Sequence, residues 1–503
     1  MADRCLTESF ETSGEWYLPE NPDRKIAGIL RYTPEQTELE LHESFMPLRQ
    51  GTIRFDDPLT TYPAVYGITH DGDAVTLLNA QQASWSMKFG SGGLRRPEKL
   101  ITSLVLIGAH MPQDFSYREM TFRVPGLQVW LSVPVINQSI DREETTGTTT
   151  GSYRVRGMTE ETSRISCINA NLDWYFTWQQ NCDPFTSIAV TVSAWVAIRP
   201  DTPQGIYWYF EQLGKVSSML SFLAGSPMSP DCIKASIGEA NEETFVMVAF
   251  RDKKYCAYLN LHEFFMPRGE MGIQLTEVAI RWFEEYGKLL MPIQLANSVL
   301  ASDKLWLHVE FLSLMQALEG FHRALFFGNY IDDGEYELVK KALGDTIPAG
   351  LGSDHKDALR SRIRYGNQLS LRKRLDELAK GLPEEIGRTI LGNDGKAPRS
   401  WIDTRNYYTH WDEELRANVL DSQGIYNANV RLRHFLRALY LNLMGIPSNA
   451  VLKSLRNSSR SSQHLIQLNI KERRVNTDAN SGIIMTVQEE KSSDVSGSRS
   501  NDE

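Results

Sequence analysis

The chain predicts an α+β multidomain protein. A β-rich N-terminal domain, a sandwich or a sheet closed on itself, spans residues 1–270, and an all-α antiparallel helical bundle spans 271–450. Three observations carry this. Up to residue 270 the apolar residues fall in short β-branched and aromatic runs between Gly, Pro, Asp and Asn clusters. Beyond it they recur at three- and four-residue steps, the helical period. From 451 to 503 Ser, Asn, Lys, Arg and Glu dominate, which predicts a largely disordered polar tail.

In the first half, Val75–Leu78, Leu100–Ile107, Met120–Val124, Leu127–Val133 and Ser187–Ile198 read as strands, being rich in residues that suit a pleated, half-buried surface. Asp71-Gly72-Asp73 reads as the turn before the first of them. Gln138–Ser152 is polar and rich in Thr and Gly, and reads as an exposed loop. Gly205–Leu223 fits a helix laid on the sheet.

In the second half, Leu275–Leu300 and Lys304–Phe327 carry helical periodicity. Leu307, Phe311, Leu314, Leu318, Phe321 and Leu325 form one apolar stripe, with Ser302 or Asp303 as a candidate cap. Gly334–Leu343, Asp354–Lys380, Ser400–Trp411 and Ile425–Met444 follow as helices, and Ile446-Pro447 ends the last. Short Gly- and Pro-containing loops between them favour an antiparallel bundle.

The bulk numbers narrow the function. The chain of 503 residues exceeds what one core usually organises. A net charge of −10 argues against nonspecific coating of nucleic acid, so any such contact must come from a local patch. The five cysteines are scattered without a C-x-x-C, which suggests neither a zinc site nor a disulfide framework and fits a reducing cytosol. No apolar run is long enough for a membrane span and the first residues carry no apolar leader, so the chain reads as cytoplasmic with no membrane partner. Walker, G-x-S-x-G and Rossmann motifs are absent, and His308, His322, His355 and His434 lack metal-ligand spacing, so no cofactor or metal is expected.

Chemistry concentrates at Asp403–Trp411. Arg405, Asn406 and His410 form R-N-x-x-x-H. On a helical wheel with Arg405 at 0°, Asn406 and His410 project at about 100° and about 140°, while Trp401, Thr404, Tyr407, Tyr408 and Trp411 lie between about 200° and 320°. The helix thus has a polar face and an aromatic back, with Ile402 among the polar residues. RNA can be cleaved by its own 2′-hydroxyl, given a base, charge stabilisation at phosphorus and an acid for the leaving oxygen. Histidine serves as base or acid near neutral pH. Guanidinium forks onto phosphate oxygens. Asn406 can orient either the imidazole or the substrate. One helix supplies a single histidine, so a complete base and acid pair calls for two copies facing each other. The same three residues also suit an ordinary polar helix face.

A second candidate patch is basic. Arg360, Arg362, Arg364, Arg372, Lys373 and Arg374, with Arg431, Arg433 and Arg437 on the last helix, suit phosphate, or simply a solvated face. Trp174–Trp178 suits base stacking, or core packing in a β domain.

Thr404–His410 resembles the R-N-x-x-x-H motif of HEPN domains. Phe311–Arg323 and Leu371–Leu375 resemble the early core helix and a later segment of the ApeA-like branch. Gly14-Glu15-Trp16-Tyr17-Leu18-Pro19, Ile26–Leu30 and Leu106–His110 resemble the N-terminal domain that accompanies it. The likeness covers residues 12–450. It implies a metal-independent endoribonuclease of bacterial anti-phage, abortive-infection defence. It also implies a homodimer through the bundle, with Arg405, Asn406 and His410 catalytic. The N-terminal domain would then sense an unknown trigger or restrain the nuclease, since an unrestrained cytoplasmic ribonuclease harms its own cell. Glu319 is carried over as a candidate auxiliary acid; its plain alternative is an i,i+4 pair with Arg323. The alternative function is a catalytically silent HEPN interaction or nucleotide-binding module. A carbohydrate-binding protein, suggested only by the aromatics of the β domain, is the third.

Overall fold

The computed structural model describes residues 4–46, 59–85, 88–90, 93–142, 147–156, 161–183, 185–236, 243–249, 255–256, 260–300, 302, 305–392, 394–457 and 459–481. Among these, thirteen strands join one continuous sheet. They are β1 (Phe10–Leu18), β2 (Asn21–Tyr32), β3 (Thr37–Leu41), β4 (Thr61–Thr69), β5 (Ala74–Trp85), β6 (Glu98–Thr102), β7 (Leu104–Ile107), β8 (Glu119–Arg123), β9 (Glu161–Ile165), β10 (Ala170–Asp183), β11 (Ser187–Pro200), β12 (Cys232–Ser236) and β13 (Glu243–Val248). Their order is β9-β10-β11-β8-β12-β13-β7-β5-β4-β1-β2-β3-β6, and β6 pairs back onto β5. Strands β1 to β6 therefore close into a small barrel, and the sheet continues out of it through β7.

The branch point has a local cause. β5 pairs β7 up to Leu78↔Leu104 and β6 from Gln81↔Ile101. Between the two lies Asn79 with φ +51, a left-handed conformation that asparagine tolerates. The Thr102 hydroxyl donates to Leu78 O (2.6 Å) and accepts from Leu104 N (3.1 Å), so one side chain satisfies two backbone groups at the kink. Inside the barrel Trp16 is fully buried against Gly67, where a Cβ would come within 2.2 Å of the indole ring. The turn expected at Asp71–Asp73 joins β4 to β5, with Gly72 at φ +86.

Helix α1 (Ile206–Ala224) is buried over most of its length. Its Phe222 stacks on Tyr440 (4.4 Å between centroids) and meets Trp282 edge-on (5.7 Å). The helices that follow are α2 (Leu275–Tyr286), α3 (Leu290–Leu300), α4 (Leu307–Leu325), α5 (Asp333–Asp345), α6 (Ser353–Arg364), α7 (Leu371–Lys380), α8 (Glu384–Leu391), α9 (Arg399–His410), α10 (Ser422–Leu443), α11 (Ser448–Arg456) and α12 (Gln463–Ser481). One contiguous apolar core runs from the barrel to α12.

Several expectations change. Leu127–Val133 opens with a helical turn, Leu127–Trp130, rather than a strand. Leu127, Trp130 and Leu131 are buried at helical spacing, and the Trp130 indole donates to Met266 O (2.8 Å). Gln138–Arg142 and Gly147–Ser152 are exposed as expected, but most of them form a β-ribbon in which Ile136–Arg142 pairs with Thr149–Val155; residues 143–146 lie outside the described residues. Leu275–Leu300 breaks after Tyr286, and Pro292, near the start of α3, falls where no helical N–H is needed. Asp354–Lys380 breaks at Tyr365–Ser370: Gly366 and Asn367 make the turn, and the Ser370 hydroxyl caps α7 at Lys373 N (3.3 Å). The cap of α4 is Trp306, not Ser302, and Asp303 lies outside the described residues.

The tail is the largest correction. Residues 448–456 and 463–481 are helical rather than disordered. Val451, Leu455 and Leu465 are buried, and Ser459 and Ser462 bond to each other beneath α12 (2.6 Å). A few apolar residues at helical spacing suffice here because the bundle supplies the partner surface. Residues 482–503 lie outside the described residues.

Candidate active site

Helix α9 begins after Pro398 and is anchored by its back. Trp401, Asp403 and Thr404 are buried. The Thr404 hydroxyl accepts from Leu420 N (3.0 Å), and Tyr408 stacks on His308 of α4 (5.5 Å, 16°). Ile402 packs against the core although it projects among polar residues. The aromatic back is narrower than expected. Trp411 is 70% exposed at the C-cap, in the left-handed region (φ +54), with its N–H on Tyr407 O (2.7 Å).

The motif residues share the outer face. Arg405 donates from Nη1 to Asn406 Oδ1 (3.2 Å) and from Nη2 to Glu319 Oε2 of α4 (3.5 Å). Glu319 is held in turn by Arg323, which donates to Oε1 from Nε (3.0 Å) and Nη2 (2.9 Å). Glu319 thus makes the i,i+4 pair with Arg323 and also touches Arg405 of the motif. Asn406 has its carbonyl turned to Arg405, which leaves its amide N–H groups outward, an orientation assigned from that bond. His410 is exposed and has no hydrogen-bond partner among the described residues. Thr409 bonds back to Arg405 O (2.7 Å) and stays with the helix.

A buried network supports α4 from behind. His322, fully buried, lies between Glu377 Oε2 (2.8 Å from Nε2) and Arg374 Nη1 (3.0 Å from Nδ1). The guanidinium only donates, so Nδ1 accepts and Nε2 carries the proton to Glu377. Arg374 also donates to Leu369 O (3.0 Å) and Gly328 O (3.1 Å). Burial pushes its pKa below the usual arginine value.

The expected basic patch therefore divides. Arg374 is internal. Arg431 is buried and bonds Ile390 O and Glu472, Arg433 pairs with Glu310 (2.7 Å), and Arg437 lies over Phe265. Arg360, Arg362, Arg364, Arg372 and Lys373 remain exposed. Arg323, whose spacing suggests only a pair with Glu319, also reaches Gln368 Oε1 (3.2 Å), in the turn before α7. No local pattern signals that contact. Trp174 is core, as its bland alternative expected, whereas Trp178 is half exposed on the outer part of β10.

Two family models match the chain: ApeA N-terminal domain 1 over residues 11–282, more than half of its length, and Apea-like HEPN over residues 312–450. The chain belongs to the ApeA-like HEPN family. The N-terminal match takes in most of α2, which packs on β9 through Ser163 and Thr276 (3.0 Å). The HEPN match spans α5 to α10 and most of α4, and so includes Glu319, Arg405, Asn406 and His410. HEPN domains are commonly nucleases, bind RNA and often dimerise, and this family is of the defence-effector type. Comparison with curated proteins and with solved structures gives no match. Among the described residues no helix is long and apolar enough to cross a membrane.

Proposed function

We propose that this ApeA-like HEPN protein is a metal-independent endoribonuclease effector of anti-phage, abortive-infection defence. The observation that carries the reading is the outer face of α9. A guanidinium steadied by Glu319 and Asn406 stands five residues, about 7.5 Å of helix rise, before an exposed imidazole that has no hydrogen-bond partner among the described residues.

In this reading His410 removes the proton of a ribose 2′-hydroxyl and the 2′-oxygen attacks the adjacent phosphorus. Arg405 balances the charge that builds on the phosphoryl oxygens. The 5′-oxygen leaves with a proton from a second histidine. The products are a 2′,3′-cyclic phosphate and a 5′-hydroxyl, and no added water or metal is needed for this step. The second histidine is the partner's copy of the same helix in a homodimer. Glu319 acts as a positioning residue that holds the guanidinium across the packing of α4 on α9. The N-terminal domain restrains the nuclease or senses its trigger. Support for such coupling comes from α1, whose Phe222 packs on Tyr440 of α10.

The test compares wild type with His410→Ala for growth arrest and for cleavage of RNA by purified protein in EDTA. His410-dependent cleavage that survives EDTA is expected. Equal toxicity with no His410-dependent cleavage sinks the nuclease in favour of a silent HEPN module, and cleavage abolished by EDTA contradicts the metal-free route. Wild type mixed with an excess of His410→Ala is expected to lose activity more steeply than in proportion to its dilution, because a mixed dimer holds a single histidine; a proportional fall or an active monomer overturns the shared site.

A further inference from the structure

Just past the end of α4, aromatic rings stand in solvent. Phe327 is 66% exposed and Tyr330 is 56% exposed, while Phe326 stacks on buried His322 (5.1 Å, 18°) and is itself partly exposed. Such rings usually seek cover. They are not on a loose loop. Tyr330 N donates to Asn367 O (2.8 Å) and Leu369 N to Gly328 O (2.8 Å), and Arg374 Nη2 reaches the same carbonyl of Gly328 (3.1 Å). Buried Asn367 holds both the N–H and the C=O of Ile331 (3.1 and 2.9 Å). The turn is thus a built platform.

The platform adjoins the motif. Glu319 touches Arg405, Arg323 lies one turn further along α4 and holds Glu319, and Arg323 also reaches Gln368 beside the turn. The nearby acids are engaged. Asp332 caps α5 at Gly334 N, Asp333 accepts from Asn329, and Glu377 accepts from His322. Exposed cations stand along this edge as well: Arg323, which pairs with Glu319 but stays half exposed, and Arg372 and Lys373 at the head of α7. Hydrogen bonds with Ser370, and then the charges of Lys373 and Arg374, hold the Tyr330 hydroxyl below the usual tyrosine range.

We propose that this turn is a subsite for single-stranded RNA, with Phe327 and Tyr330 stacking unpaired bases while Arg323 and Lys373 hold the phosphates that lead to Arg405. The inference rests on the nuclease reading and deepens it. Stacking faces of this kind take splayed bases, which a duplex keeps paired and inside. The cleaved segment is then a loop or an unpaired stretch. The acidic chain selects it through a short cationic track rather than by bulk attraction.

The test measures fluorescence anisotropy of a labelled oligouridylate with the full-length, non-cleaving His410→Ala protein. Adding Phe327→Ala or Tyr330→Ala is expected to weaken binding roughly tenfold each, a typical loss for one stacked base. Lys373→Gln is expected to lower the salt dependence by about one phosphate contact. Phe185→Ala, on the distant β10–β11 turn, is the control, and a thermal melt checks that each variant folds. Binding unchanged by both aromatic variants overturns the proposal, as does equal competition by duplex RNA. A dimer that falls to monomer on Phe327→Ala or Tyr330→Ala also overturns it, because the rings then serve a protein–protein face. Cleavage by the otherwise wild-type protein separates the two readings. His410-dependent cleavage with kcat/KM unaffected by Phe327→Ala sinks the subsite and leaves the nuclease. Aromatic-dependent RNA binding without cleavage does the reverse.

Discussion

Replacing Arg405 by Lys keeps the charge and removes the fork. The guanidinium has five N–H donors, and the structure commits one to Asn406 (3.2 Å) and one to Glu319 (3.5 Å). Three remain for phosphoryl oxygens. A charge-assisted hydrogen bond is worth about 1.5–3 kcal/mol. Arg405→Ala, which loses two such contacts in the transition state, is expected to cost about 3–6 kcal/mol, or roughly 10²–10⁴ in rate. Arg405→Lys loses one of the two and is expected to fall roughly 10- to 100-fold. Stability should barely change, by less than about 1 kcal/mol, because the contacts of Arg405 within the chain are long and partly exposed. The assay is single-turnover cleavage of labelled RNA at saturating protein, alongside urea denaturation of each variant. If both variants cleave within threefold of wild type while His410→Ala does not, Arg405 has no role at phosphorus. If Arg405→Lys instead unfolds the protein, the guanidinium is a structural group.

Three further outcomes follow from the packing. Arg374→Met strips His322, Leu369 O and Gly328 O of a buried donor and should cost about 3–5 kcal/mol in urea denaturation; a loss below 1 kcal/mol would mean water replaces those bonds. Leu455→Ala should cost about 2–4 kcal/mol by the same measurement, whereas a disordered tail would give no change. His434 is fully buried; burial, then the charge of Arg437, holds its pKa well below the ordinary 6.5. The unfolded chain therefore binds a proton that the native state refuses. This contribution is complete above pH 6.5 and is lost as pH falls, at up to about 1.4 kcal/mol per pH unit. His434→Phe should flatten the stability profile between pH 6.5 and 5, and an unchanged slope there would show that His434 takes up its proton without unfolding.

Legibility in the sequence followed the range of the interaction. The stripe on α4, the helical run of α9 and parts of β5, β8 and β11 were readable because periodicity and β-branched runs record which face is buried, whereas Leu100–Ile107 is two strands that part at Ser103 and the remaining strands gave no clear signal. Helix ends were less readable where a turn is short: Gly366-Asn367 and the Ser370 cap split one apparent helix into α6 and α7. The tail misled for a related reason. Val451, Leu455 and Leu465 are few among polar residues, and their burial depends on a surface formed by α8 and α10, which composition does not report.

The sequence alone determined that Arg405, Asn406 and His410 share one helix, and hence their spacing, because helix rise and twist are local properties of the backbone. Only the tertiary structure decided what stands opposite them. Glu319, 86 residues upstream, reaches Arg405 because α4 packs beside α9. Tertiary packing likewise turned Arg374, Arg431 and Arg437 inward and left Arg323, Lys373 and the rings of Phe327 and Tyr330 outside. A charged side chain reads alike at either place in a sequence. Which side it takes depends on whether distant acceptors can satisfy it once water is gone, and folding brings those acceptors together.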